Sequence, residues 1–172
     1  DFYPCHQFVG QEEFLLGNIN SGIKTGFNEA FIIPKRIKDK LINEDPKSAE
    51  IIKPLLRGKD ISAWYPDFEE LWLINSHNGI KSKNIDRIDV KKDYPAIYKW
   101  LLDYEKELIK RQDKGDDWTN LRNCVYFEEF EKPKIMYRDI TQWFDFSYVE
   151  DVVYANNTIY IMTGENLKYL TC

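Results

Sequence analysis

Residues Gly22 to Phe31 read GIKTGFNEAF, a loop-like stretch that leads into an apolar segment. Two glycines four residues apart enclose a lysine and a threonine, and Asn28 follows them. Glycine adopts positive φ readily and admits the close approach of a backbone or a ligand. The stretch therefore predicts one of two structures: a tight turn before a core strand, or a cradle for a polar ligand.

Helical patterns occur in three segments beyond this stretch. The longest prediction is a helix over residues 93–115, with Asp93 as its N-cap and apolar residues at helical spacing. A second helix is predicted over residues 35–43. A third is predicted from about residue 48 through the sequence EIIKPLLRG, where Pro54 must kink or break it.

Strand patterns alternate with these helices without strict βαβ order. The predicted strands are EAFII (29–33), LWLIN (71–75), KIMYRDI (134–140), and a hairpin of DVVY (151–154) and TIYIM (158–162) joined by ANN. The mixture predicts an α+β fold, that is a mixed, irregular α/β arrangement, with a mixed sheet and several helices. A chain of 172 residues fits one domain, which we assign to residues 1–172.

The composition is that of a globular protein with an excess of aromatic residues, which make up 15% of the chain and serve either a core or a recognition surface. The formal net charge of -5 argues against a general polyanion binder. Basic residues nevertheless concentrate in residues 34–60 and 81–92. One basic face on an acidic body is compatible with this distribution, and so are charges spread over solvated helices.

The three cysteines are widely spaced and form no C-x-x-C pair, which is typical of reduced thiols in a cytoplasmic protein. The two histidines and the cysteines do not have the spacing of a zinc site, so no metal is expected. No signal peptide or membrane-spanning apolar run occurs. We therefore expect a cytoplasmic domain that has no membrane partner.

Motifs of catalytic or cofactor sites are missing: the sequence has no G-x-G-x-x-G turn, no phosphate loop and no Asn-Pro-Pro-aromatic tetrapeptide. One alternative is a metal-dependent nuclease, because Asp67 after Pro66 and Asp89 two residues before Lys91 formally match a P-D…(D/E)-x-K pattern. Such spacing arises readily by chance in so charged a chain. No catalytic residue is assigned.

Four blocks in order carry a family resemblance: SGIKTGFNEAFII (21–33), SAEIIKPLLRGKDISAWY (48–65), WTNLRNCVY (118–126) and EKPKIMYRDI (131–140). Together they resemble the TaqI-like C-terminal specificity domain, the target-recognition part of combined (type IIG) restriction-modification enzymes and related adenine-specific DNA methyltransferases. The resemblance covers about residues 20–170.

The resemblance implies sequence-specific recognition of double-stranded DNA in a longer parent chain. An N-terminal methyltransferase domain would use S-adenosylmethionine to methylate adenine at N6, and this part of the chain would bind no cofactor itself. In such enzymes the specificity domain closes one side of the DNA cleft and reads base edges while the target adenine is flipped out. The remaining alternative is a protein-interaction module with an exposed apolar patch.

Ten side chains are predicted to contact DNA. The glycine loop and the RGK sequence carry positive charge and hydrogen-bond donors, which suit contacts to phosphate, and an aromatic residue follows the RGK sequence. The asparagine and arginine of WTNLRNC have hydrogen-bonding groups that suit adenine and guanine edges, respectively. Strand alternation predicts that the two basic side chains of KIMYR lie on the same face of the strand. Each prediction has a structural alternative, such as a turn, a cap or an ion pair. The ten are Lys24, Thr25, Asn28, Arg57, Lys59, Trp64, Asn120, Arg122, Lys134 and Arg138.

Overall fold

A computed structural model describes residues 17–62, 66–140 and 146–170. The strands are β1 (Gly17–Ser21), β2 (Ile32–Pro34), β3 (Ile52–Leu56), β4 (Leu71–Ile74), β5 (Lys134–Arg138), β6 (Phe146–Val149), β7 (Tyr154–Ala155) and β8 (Ile159–Gly164). The α-helices are α1 (Asn28–Phe31), α2 (Lys35–Glu44), α3 (Val90–Asp93), α4 (Pro95–Leu102) and α5 (Glu105–Lys110).

The strands form two four-stranded sheets, in the orders β1-β8-β5-β6 and β2-β4-β3-β7. Every pair of the first sheet is antiparallel, whereas the second sheet is mixed because β3 and β7 run parallel. β7 and β8 follow each other in the chain but belong to different sheets, so the turn between them links the two. The predicted α+β class with a mixed sheet is confirmed.

One apolar core draws on both sheets and on the helices. Phe31, Phe130 and Tyr154 are fully buried, and the rings of Phe130 and Tyr154 stack with centroids 5.1 Å apart. Burying such a side chain stabilises the fold by about 1.5–3 kcal/mol. The indole of Trp100 donates a hydrogen bond of 2.8 Å to the Ala30 carbonyl, which ties α4 to α1. Much of the aromatic excess therefore serves the core.

The prediction of one continuous helix over residues 93–115 is wrong, because three short helices, α3, α4 and α5, occupy residues 90–110. Asp89, not Asp93, caps α3: its Oδ1 accepts a hydrogen bond of 3.1 Å from the Lys92 amide. The break at Tyr94 follows from Pro95, since a proline disfavours helical backbone at the preceding residue. The helix predicted over residues 35–43 is confirmed as α2.

The third predicted helix is also wrong. A 3-10 turn, Pro46–Glu50, leads into strand β3, which includes Pro54. The strand accommodates this proline where its pairing passes from β4, at Ile52–Pro54, to β7, at Leu55–Leu56. A short apolar run fits a buried strand as well as a helix, and the neighbouring strands decide between them.

The remaining strand predictions hold in part. LWLIN and KIMYRDI are confirmed as β4 and β5, whereas the first three residues of EAFII belong to helix α1 and only its last two to β2. The predicted hairpin is wrong: β7 pairs with β3, and β8 pairs with β1 and β5. Strand propensity alone does not specify the partner, and β7 finds a parallel neighbour far away in the sequence.

Candidate nucleic-acid interface

The two glycines of the opening stretch admit close packing of one backbone segment against another. A Cβ on Gly22 would lie 1.9 Å from the carbonyl oxygen of Asn156. Gly26 has a φ of +70°, and a Cβ there would lie 2.8 Å from the Asp113 carbonyl oxygen. The amides of Gly22 and Ile23 already donate to backbone carbonyls, at 2.8 and 2.7 Å. Close backbone packing therefore accounts for both glycines, while the core strand predicted to follow them is replaced at its start by helix α1.

The side chains of the same stretch line a cavity of about 480 Å³. Lys24 is exposed and forms no ion pair or side-chain hydrogen bond with any residue that the structure describes. Thr25 is only 4% exposed, and its hydroxyl donates to Asn28 Oδ1 at 2.5 Å. Lys24 therefore presents the available positive charge, while Thr25 and Asn28 orient each other.

A second cavity of about 300 Å³ shares Lys24 with the first, and we call the two together the Lys24 cleft. Arg122 lines the second cavity and pairs with Asp113, which lines the first, at 2.9 Å between Nη1 and Oδ1. The ion-pair alternative for Arg122 therefore holds, with Asp113 as its acid, while the nearby acid Glu128 contacts Lys83. The structure thus brings together four predicted residues: Lys24, Thr25, Asn28 and Arg122.

Three other predicted residues line a separate cavity of about 560 Å³, the Arg57 pocket: Arg57, Lys59 and Arg138. Two acids neutralise the first two of these cations. Arg57 donates to both carboxylate oxygens of Asp60, at 3.0 Å each, and also contacts Glu69. Lys59 Nζ donates to both oxygens of Glu69, at 2.9 and 3.1 Å. These hydrogen bonds, led by that from Lys59, lower the pKa of the Glu69 carboxyl.

Arg138 projects from β5 at the edge of the Arg57 pocket. Its Nε donates to the Ile61 carbonyl at 3.1 Å. Arg138 therefore holds the chain just after the Arg57–Asp60 segment as well as lining the pocket.

One turn separates the Lys24 cleft from the Arg57 pocket: residues 156–159, which we call the Asn156 turn. Asn156 and Thr158 line the pocket, while Asn157 lines the cleft. Thr158 Oγ1 donates to Asn156 Oδ1 at 2.6 Å and accepts from the Gly58 amide at 2.8 Å. Two cavities that contain basic side chains, Lys24 in one and Arg57 and Lys59 in the other, therefore border one anchored turn. The sequence marked these asparagines as turn residues but carried no signal of this position.

Two predicted contacts lie in the interior instead. Asn120 is fully buried, and its Nδ2 donates to the Ile88 carbonyl at 2.9 Å. Lys134 is also fully buried, and its Nζ donates to the carbonyls of Lys132 and Asp151 at 2.9 and 3.0 Å. Burial lowers the pKa of Lys134 to about 8. The prediction that Lys134 and Arg138 form a phosphate-facing edge is therefore not supported, and neither Asn120 nor Lys134 is included in the interface. Trp64 lies outside the described residues.

The nuclease alternative gains no support. Among residues 17–62, 66–140 and 146–170, no group of three or more histidine, cysteine, aspartate or glutamate side chains is placed to hold a metal ion. Asp89, one of the two proposed metal ligands, caps helix α3.

Exposed large apolar side chains come from separate elements and loops, so the interaction-module alternative stays a prediction. Within residues 17–62, 66–140 and 146–170 they are Ile19, Phe68, Leu102, Ile109, Val125, Ile140 and Val152. No helix in the described part of the chain has the length and apolar character needed to cross a membrane.

Comparisons with known proteins agree with this architecture. None of the curated proteins matches the chain. Among solved structures, the type IIL restriction-modification enzyme MmeI in complex with DNA is similar, with a TM-score of 0.61 and 12% sequence identity. The match covers 90% of this chain and 20% of the MmeI chain, so this chain spans about a fifth of that enzyme. At this identity the likeness concerns the fold.

The model of one protein family matches residues 53–171, well over half of the chain. The glycine-loop block precedes the matched region, whereas the blocks in residues 118–126 and 131–140 lie within it. The chain therefore belongs to the family of the TaqI-like C-terminal specificity domain.

Proposed function

We propose that this chain is the DNA target-recognition domain of a restriction-modification enzyme. It recognises a specific sequence in double-stranded DNA and positions the duplex for N6-adenine methylation by an S-adenosylmethionine-dependent methyltransferase domain, N-terminal in the parent protein. The observation that carries the proposal is that the Asn156 turn borders both Lys24 and the Arg57–Lys59 pair. Family membership and the likeness to MmeI, solved with DNA, support it.

The arrangement suits a duplex because phosphate contacts and base contacts have different tasks. Lysine and arginine side chains bind phosphates and set the position of the protein on DNA, whereas polar side chains in a groove read base edges. Lys24 in the cleft, and Lys59 in the pocket once phosphate displaces Glu69, would hold phosphates. The polar side chains of the turn would then face the bases between them.

The acidic net charge of -5 is expected to weaken the binding of DNA by this domain. The acidic body repels DNA at long range, so attraction depends on a small number of local phosphate contacts. Affinity then falls steeply as salt rises, because each such contact releases condensed counterions from the duplex. We expect the isolated domain to bind weakly at moderate salt and more tightly at low salt.

The catalytic steps belong to the proposed methyltransferase domain, which would supply S-adenosylmethionine and the pocket for the flipped adenine. This chain would form the opposite wall of the DNA cleft and keep the duplex in register. As part of a bacterial defence enzyme it would act in the cytoplasm.

Fluorescence anisotropy with a randomised duplex pool tests the proposal. The chain is titrated at low and moderate salt, and bound duplexes are recovered and sequenced. We expect one short motif to be enriched and affinity to fall as salt rises, while a pool of single strands yields no motif. Failure to bind any duplex even at low salt would contradict recognition by this domain and favour the protein-interaction module.

A further inference from the structure

We propose that Asn157 is a specificity-determining residue that reads an adenine edge in the major groove; this rests on the proposed function. Asparagine lines both sides of the interface: Asn28, Asn123 and Asn157 in the Lys24 cleft, and Asn156 in the Arg57 pocket. Asn157 is exposed. What separates it from the other three is its hydrogen bonding.

The other three amides have internal partners. Asn28 Oδ1 accepts from Thr25, and Asn156 Oδ1 accepts from Thr158. Asn123 Oδ1 accepts from the Asn78 amide. Asn157 has no side-chain hydrogen bond to any residue in the described ranges. Its donor and acceptor are therefore both free for a ligand.

The backbone that carries Asn157 is held on several sides. The Ile159 amide donates to the Asn156 carbonyl at 3.0 Å, which closes a β-turn with Asn157 as its first central residue. The Asn156 amide donates to the Leu56 carbonyl at 3.0 Å. Gly22 packs against the Asn156 carbonyl with no room for a Cβ. A short side chain on a fixed backbone loses little conformational freedom on binding, and such preorganisation favours specific contacts.

The surroundings favour a base as the ligand. Lys24 lines the same cavity as Asn157, and Arg57 and Lys59 line the pocket on the other side of the turn. Phosphates bound by these cations would leave base edges opposite the turn. An asparagine amide accepts from adenine N6 and donates to N7 at once, a bidentate pairing that distinguishes adenine from the other bases.

Motif selection with three forms of the chain tests this role: the wild type, Asn157→Ala and the control Asn43→Ala. Asn43 is an exposed asparagine near the end of α2 and lines neither the Lys24 cleft nor the Arg57 pocket. We expect Asn157→Ala to lose preference at one adenine of the motif while the other positions stay enriched. For a duplex with that adenine replaced, the wild type should bind about tenfold more weakly than to its own motif, and the variant about equally.

A second variant, Asn157→Asp, changes the hydrogen-bonding pattern and nearly preserves the size of the side chain. An aspartate accepts from cytosine N4 and cannot donate to adenine N7. We therefore expect preference at the same position to move from adenine towards cytosine. The salt slope of Asn157→Ala should equal that of the wild type, because no phosphate contact is lost.

Two outcomes overturn the proposal while the proposed function stands. In the first, the wild type selects a motif and Asn157→Ala selects the same motif with the same discrimination. In the second, Asn157→Ala weakens binding to all duplexes equally and lowers the melting temperature, which would make Asn157 a structural residue. A wild type that selects no motif contradicts the proposed function itself.

Discussion

The Lys24 cleft and the Arg57 pocket border the same turn, yet their charges are in different states. Lys24 has no ion pair within the described part of the chain. Arg57 and Lys59 both contact Glu69, and Arg57 also pairs with the buried carboxylate of Asp60. The comparison shows that a basic residue in a promising motif is not by itself an available charge. Acids that lie close in space decide how much of that charge reaches a ligand.

The two regions should therefore contribute differently to DNA binding. A phosphate at Lys24 meets an ammonium that has no ion pair within the described residues, whereas a phosphate at Lys59 must replace the Glu69 carboxylate. Asp60 is only 2% exposed and is expected to stay with Arg57, while Glu69 is exposed and can exchange.

The largest expected effect comes from disrupting the turn that both regions share. Gly22→Ala places a Cβ 1.9 Å from the Asn156 carbonyl oxygen, and neither backbone can yield without breaking hydrogen bonds. We expect a loss of about 3 kcal/mol in the free energy of unfolding, measured by urea denaturation, since overpacking typically costs 1–3 kcal/mol or more. Asn157→Ala, in the same turn, should leave stability nearly unchanged. Equal stabilities for the two variants would contradict this account of Gly22.

Removing the charge of Lys24 should have the next largest effect. Lys24→Gln deletes one phosphate contact, so we expect duplex affinity to fall about fivefold and the salt slope to decrease by about one, measured by anisotropy. Lys106→Gln is the matched control, because Lys106 is an exposed lysine of α5 that lines neither the Lys24 cleft nor the Arg57 pocket. Equal losses in both variants would show a general charge effect in place of a contact.

Removing the acid that pairs with Lys59 and Arg57 should change duplex affinity less, and should raise it. Glu69→Gln removes the charge that competes with phosphate for Lys59, and we expect duplex affinity to rise about threefold. The control is Glu70→Gln, which changes net charge equally but breaks the ion pair of Glu70 with Lys35, 2.7 Å apart. If both variants gain the same affinity, Glu69 has no special role and the contrast between the two regions fails.

The smallest effect on binding is expected at Lys134, which is fully buried and lines neither the Lys24 cleft nor the Arg57 pocket. Its pKa of about 8, against an ordinary value of 10.5, means that the unfolded chain binds more protons than the folded chain between these pH values. The contribution of Lys134 to stability therefore rises with pH from about 8 to 10.5. Lys134→Met should lose this rise in urea denaturation and leave duplex affinity at pH 7 unchanged. A clear loss of affinity would place Lys134 in the interface after all.

Local sequence patterns predicted those parts of the fold that local interactions determine. Helix α2 and strands β4 and β5 have clear periodicity and sit where it indicated. The helix predicted around Pro54 is wrong because the strand that contains Pro54 is stabilised by neighbours distant in sequence. The hairpin predicted between residues 151–154 and 158–162 is wrong for the same reason, since β7 pairs with the distant strand β3.

The candidate site shows a similar division. Residue type identified Lys24, Arg57 and Lys59 as candidate phosphate contacts, and the structure groups them around one turn. Residue type also proposed Lys134, because the sequence does not show that carbonyls of the chain would enclose its ammonium. The sequence did not predict Asn157 as a contact, because its role depends on which neighbouring asparagine side chains have hydrogen-bond partners in the fold.

The pairing of the first described strand with the last has a kinetic consequence. β1 joins β8 with Gly17 opposite Gly164, and β7 completes the other sheet. Contacts between such distant positions form slowly, because a long loop must close before they are gained. During synthesis on the ribosome, neither sheet is complete until residues 154–164 have emerged. A nascent chain stalled before that point would have no recognition surface, so commitment to DNA binding would come at the end of folding.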